Sequence, residues 1–171
     1  MIRIIETERI FLRELMKSDK HDLAKILCDP ESMRFYPSPF SEKKVEDWIE
    51  WNIDNYKKYK HGLWAVILKK GNVFLGECGI TIQEIEGKKL PEVGYHIKKE
   101  YCGNGYASEA AKACIDYAFT NLDYNVLYTY TNHANLASIR VAEKSGMQFV
   151  NYFEKDVMGT KVNEVLYWIH R

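Results

Sequence analysis

The sequence predicts an α/β domain built around one mixed sheet. Segments with the period of strands interleave with segments with the period of helices along the whole chain. At 171 residues the chain suffices for one substantial core and is short for two, so residues 1–171 are read as a single domain. A Gly-x-Gly turn at 103–105 then joins an apolar strand to a strongly helical segment.

Arg9 to Glu14 alternates apolar and charged residues and reads as the first strand. Ser18 or Asp19 caps a helix through Leu23, Ile26 and Leu27 to about Cys28, where Asp29-Pro30 ends it. Met33 to Phe40 is a proline-bearing aromatic loop. Ser41 caps a second helix with Val45, Trp48, Ile49 and Tyr56 on one side. Leu63 to Leu68 and Val73 to Ile82 are apolar strands joined by the turn at 69–72. Residues 84–91 read as a polar, turn-rich connection into the strand Glu92 to Lys98. From Ala107 to about Thr120, apolar or small residues at 110, 111, 114, 115, 118 and 119 mark a helix. Asn125 to Thr131 is a strand, Asn135 to Ser145 a helix closed by Gly146, and Phe149 to Glu154 with Val162 to Ile169 a final hairpin.

Composition excludes several classes of function. Lys plus Arg and Asp plus Glu each number 24, so no global field draws nucleic acid to the chain. No apolar run is long enough to span a bilayer, and residues 1–6 lack the features of a signal peptide; no membrane partner and a cytoplasmic location are expected. Cys28, Cys78, Cys102 and Cys114 form no C-x-x-C pair and the five histidines form no ligand-spaced cluster, so neither a metal nor a disulfide framework is expected.

The glycine turn carries the chemistry. Without a Cβ at Gly103 and Gly105, backbone N–H groups can turn inward against an anion, and the helix that follows adds unpaired first-turn donors and the positive end of its dipole. A pyrophosphate fits such a cradle without a lysine. A Rossmann site does not match, because the glycines come after a run of strands with no acidic ribose partner ending a following strand; a Walker loop does not match for want of Gly-Lys-Ser/Thr.

Four segments in order, Glu6-Thr7-Glu8-Arg9-Ile10-Phe11-Leu12-Arg13, Glu92-Val93-Gly94-Tyr95, Cys102-Gly103-Asn104-Gly105-Tyr106-Ala107 and the run from Asn135 to Gly146, resemble the GNAT (GCN5-related N-acetyltransferase) superfamily, and within it the RimJ/RimL-like branch of ribosomal-protein N-terminal acetyltransferases. The resemblance spans nearly the whole chain. It implies a mostly antiparallel sheet splayed between the fourth and fifth strands, here Glu92 to Lys98 and Asn125 to Thr131, with acetyl-CoA as cosubstrate in the slot.

It also implies roles. Gly103, Asn104, Gly105, Tyr106 and Ala107 hold the pyrophosphate, with Cys102 where the family usually has Gln or Arg. Backbone groups of Tyr95, His96 and Ile97 hold the acyl carbonyl. Asn135 and Ser138 meet the pantetheine arm, Ser138 nearest the sulfur. Many relatives have at position 142 a tyrosine that protonates the leaving thiolate; this chain has Ala142, so Ser138 stands in as donor. Glu92 is the leading general base and Glu154 its rival. Phe35, Tyr36, Trp48, Trp51 and Tyr56 are candidates for the acceptor site, Trp48 also having the spacing of a buried face. The acceptor is an amine, either a protein N-terminus or a small molecule; relatives are often homodimers. A non-catalytic acyl-CoA-binding module is the alternative, favoured by Ala142 alone.

Overall fold

A computed structural model describes residues 1–171. Its strands are β1 (Ile5–Glu6), β2 (Ile10–Glu14), β3 (Leu63–Leu68), β4 (Val73–Ile85), β5 (Lys88–Ile97), β6 (Val126–Asn132), β7 (Gln148–Val157) and β8 (Thr160–His170). Its helices are α1 (Lys20–Leu27), α2 (Glu42–Tyr59), α3 (Tyr106–Asn121) and α4 (Leu136–Lys144). The strands form one sheet in the order β1-β2-β3-β4-β5-β6-β8-β7, antiparallel throughout except where β5 meets β6.

Period-two alternation divides the core between the two faces. On β3, Trp64 and Val66 point to one side and Ala65 and Ile67 to the other. The first side packs against the small-residue face of α3, where Ala110, Ala111, Cys114 and Ala118 let the helix lie close to Leu75, Cys78 and Val93. The second is covered by Leu23, Ile26 and Leu27 of α1 and Val45 and Ile49 of α2. No helix is long and apolar enough to cross a membrane.

Two segments differ from the sequence expectation. A short strand precedes the first expected one, because Ile5 and Glu6 pair with Leu12 and Phe11. The stretch 84–91 is mostly ladder: β4 runs on to Ile85, which is buried and pairs with Lys88, and the turn shrinks to Glu86 and Gly87 with φ of 50° and 78°. Burial of Ile85 outweighs the local polarity of its neighbours.

Candidate active site

β5 and β6 are in register only where Glu92 faces Tyr128, and Thr129 Oγ1 seals that point by donating to Val93 O at 2.8 Å. Beyond it the strands part. A cavity of about 710 Å³ opens between them, walled by β5 from Glu92 to Ile97, by β6 and α4, and by residues of the 33–40 loop. The edge of β5 turned away from β4 has no strand partner there, leaving the backbone around Tyr95, His96 and Ile97 at the wall.

At one end lies the glycine turn. Gly103 and Gly105 have φ of +81° and +80°, and Gly105 is the residue before the first turn of α3. Side-chain space does not demand glycine: a Cβ at 103 would meet nothing within 4 Å, and one at 105 only Arg9 Nη2 at 3.5 Å. The left-handed backbone does. Glu109 N donates to Gly105 O at 3.0 Å, so the N–H groups ahead of it at the helix start are left for an anion. Arg9 braces the turn from outside: Nη1 donates to Asn104 O at 2.9 Å, Nε donates to Glu109 Oε2 at 2.7 Å, and its guanidinium lies over the Tyr106 ring at 4.5 Å. The Asn104 amide turns back onto Tyr101 O, and the Cys102 thiol, pushed up by burial, contacts Ile97 O and Lys98 O at 3.6 Å. This arrangement suits a coenzyme pyrophosphate with the adjoining slot for its arm.

Midway, Asn135 caps α4 by accepting from Ser138 N at 3.2 Å. Tyr95 Oη donates to Ser138 O at 2.8 Å and accepts from Ser138 Oγ at 3.3 Å. The two hydroxyls meet across the slot, one from each wall, and burial holds Tyr95 in its phenol form. Ala142 is buried in the core beneath α4.

The far end is acidic and aromatic. Glu92 is 9% exposed, and burial pushes its carboxyl up to about 8 against the weaker opposing pull of Thr81, whose Oγ1 donates to Oε2 at 3.4 Å, and of Lys155. Gly94 makes room for that carboxylate on the same face of β5. Glu164 of β8, 5% exposed, also lines the cavity; burial pushes it up to about 7, and its Oε2 has no protein hydrogen-bond partner. Sequence reasoning missed Glu164, although an acidic residue directly before the apolar run 165–169 was a signal for it. Glu154, by contrast, has a side chain 55% exposed, pairs with Lys161 at 3.2 Å and stands outside this cavity.

The aromatic residues divide. Phe35, Tyr36 and Trp48 line the cavity, while Trp51 packs against Trp48 at 5.0 Å between centroids, tilted by 37°, and is set back from the cavity. Tyr56 is core: its hydroxyl donates to Leu63 O and accepts from Leu15 N at 3.1 Å, tying α2 to the sheet.

A further network was not legible in the sequence. Glu77 of β4, fully buried, accepts from Trp48 Nε1 on both oxygens at 3.1 Å and from His96 Nδ1 at 2.9 Å, and His96 Nε2 lies 2.7 Å from Tyr36 Oη. Register explains the meeting, since Glu77 and His96 are directly opposite in the β4–β5 ladder.

The family model described as "Acetyltransferase (GNAT) domain" matches residues 9–148. YkkB of Bacillus subtilis (strain 168) is 39% identical over 150 residues, covering 87% of each chain. Among solved structures, the acetyltransferase (GNAT family) from Bacillus anthracis superposes with a TM-score of 0.82 at 26% identity, covering 97% of each chain. RimL, the ribosomal L7/L12 α-N-protein acetyltransferase in complex with coenzyme A, superposes with a TM-score of 0.81 at 16% identity, covering 99% of this chain and 98% of that one, a likeness of fold alone.

Proposed function

This chain belongs to the acetyltransferase (GNAT) family, and on that premise we propose that it transfers an acetyl group from acetyl-CoA directly to a primary amine within a ternary complex. The observation that carries the reading is one slot with a glycine cradle at one end and the buried Glu92 at the other. The coenzyme supplies an acyl group activated as a thioester. Backbone N–H groups from 103 to 107 hold its pyrophosphate, the open edge of β5 at Tyr95, His96 and Ile97 polarises the acyl carbonyl, and Asn135, at the cavity wall where it caps α4, steadies the arm.

Glu92 takes a proton from the nitrogen as it bonds to the acyl carbon. Ser138 Oγ turns from Tyr95 Oη, to which it donates at 3.3 Å, and gives its proton in a hydrogen bond to the departing sulfur. An α-amine, ordinarily near 7.8, is neutral in roughly 10% of molecules at pH 7 and a lysine side chain, near 10.4, in on the order of 0.04%, and this favours a terminal amine of a peptide, protein or small molecule. The RimL likeness, at 16% identity, does not single out a ribosomal acceptor from these. We place the reaction in the cytoplasm.

The test is mass spectrometry of amine mixtures, peptides with free α-amines among them, after incubation with the protein and acetyl-CoA. Acetylated α-amines with stoichiometric release of coenzyme A are expected. Coenzyme binding with no transfer to any amine would reduce the protein to a carrier of acyl-CoA.

A further inference from the structure

We propose that Tyr36, His96 and Glu77 form a proton relay that takes the first proton from the incoming ammonium, leaving Glu92 to take the second. The proposal rests on the acetyl-transfer reading. Two protons must leave the acceptor nitrogen, one before it can attack and one after it has bonded to the acyl carbon. Glu92 is one base; the slot presents a second path beside it.

The hydrogen bonds fix the direction of that path. Trp48 Nε1–H, donating to both oxygens of Glu77, stabilises its ionised form, and an ionised carboxylate only accepts, so His96 Nδ1 carries the proton in their 2.9 Å contact. In the neutral ring Nε2 is then the acceptor, and Tyr36 Oη donates to it at 2.7 Å. With its own proton committed to His96, the Tyr36 hydroxyl offers only lone pairs to anything in the cavity it lines. Burial, then the charges of Glu92, Glu164 and Glu77, hold Tyr36 as a phenol, so it passes a proton on and does not store a charge.

The step balances. The ammonium gives a proton to Tyr36 Oη while the phenol's own proton moves to His96 Nε2, yielding a neutral amine and an imidazolium whose charge is met by Glu77. After the products leave, the proton returns through Tyr36 to water. Tyr36 touches the acceptor and is the catalytic residue; His96 and Glu77 act through it, and Trp48 holds Glu77 in place. The ring planes of Tyr36 and His96, 5.8 Å apart between centroids and tilted by 47°, keep the two heteroatoms together.

The experiment compares wild type, Tyr36→Phe, His96→Gln and the double variant on a matched pair of acceptors, an alkylamine and its fluorinated analogue, whose amine is already neutral at the assay pH. On the alkylamine each single variant is expected to lower kcat by about 10²-fold, with coenzyme affinity and acceptor KM within about threefold. The double variant is expected to lose no more than the worse single. On the fluorinated amine the loss is expected to shrink to a few fold. Nitrogen NMR of the wild type is expected to show His96 protonated on Nδ1, a readout that does not depend on any variant folding. Additive losses, equal losses on both amines, or a proton on Nε2 in the neutral ring would overturn the relay while leaving acetyl transfer standing. A wild type inert toward every amine would instead remove the transfer reading, and the relay with it.

Discussion

The Glu92 carboxylate lies against the bare Cα of Gly94: a methyl group at position 94 would stand 3.2 Å from Glu92 Oε2 and 3.7 Å from Oε1. Both residues sit on one face of β5, and Leu63 Cδ2, 3.3 Å from the same point, closes the other side. Gly94→Ala is therefore expected to push the carboxylate off its position, lowering kcat by about 10-fold with coenzyme affinity unchanged. Calorimetry and coenzyme A release assays check this; full activity in a folded Gly94→Ala protein would mean that Glu92 needs no fixed place.

Burial penalises the charged form of Glu92, so below about pH 8 the carboxyl is mostly neutral and cannot accept a proton. Transfer rate is expected to rise as pH increases through about 8. Glu92→Gln should lower it by about 10²-fold and flatten that rise when measured on an acceptor whose own amine titrates elsewhere. Glu154→Gln, changing an exposed residue paired with Lys161, is expected to leave the profile alone. Loss of activity in Glu154→Gln with none in Glu92→Gln reverses the assignment.

Both Glu92 and Glu164 titrate above their ordinary value of 4.5, near 8 and near 7. The folded state then holds more protons than the unfolded chain between about 4.5 and 8, and stability falls as pH rises across that window. Each pK unit corresponds to about 1.4 kcal/mol. Glu164→Gln should raise Tm at pH 8 more than at pH 5, as read by thermal melts at the two values. An equal shift at both would show that Glu164 is not held neutral by the fold.

Gly105→Val is expected to weaken acetyl-CoA binding at least 10-fold. The damage comes from the backbone, since φ of +80° is strained for a β-branched residue, on the order of 1–3 kcal/mol, and the turn will relax away from its cradle shape. Calorimetry giving wild-type affinity in a folded variant rules out the cradle.

Ser138→Ala removes the hydroxyl that faces Tyr95 at 3.3 Å. A slower turnover with coenzyme affinity within a few fold is expected, the pattern of an interaction made mainly in the transition state. Tyr95→Phe should show the same pattern, because each hydroxyl positions the other. Wild-type turnover in both would leave water as the proton source.

Local patterns carried the elements of this fold a long way. Ser41 caps α2, Asn135 caps α4, Gly146 closes α4 with φ of +87°, and the helical spacing of small residues on α3 is the face that packs on the sheet. Each is set by neighbours within one or two turns, so a single stretch of sequence is enough to read it. The Gly-x-Gly turn is of the same kind, because positive φ is a demand on one residue.

Where an outcome depended on partners far apart in the chain, sequence was silent. Glu92 led and Glu154 was its rival by resemblance alone, since nothing local to either residue marked which would be buried. The β7–β8 hairpin turns Glu154 outward to Lys161, while it brings Glu164 to the wall that Glu92 shares. Likewise Tyr36, Trp48, Glu77 and His96 come from a loop, a helix and two strands, and only register and packing join them. The sequence by itself determined the helices, most of the strands, the caps and the anion turn, because those follow from side-chain period and backbone preference. Only the tertiary structure decided which carboxylates are buried, and so which of them titrate near neutrality, because desolvation belongs to the assembled surroundings of a group and not to its place in the chain.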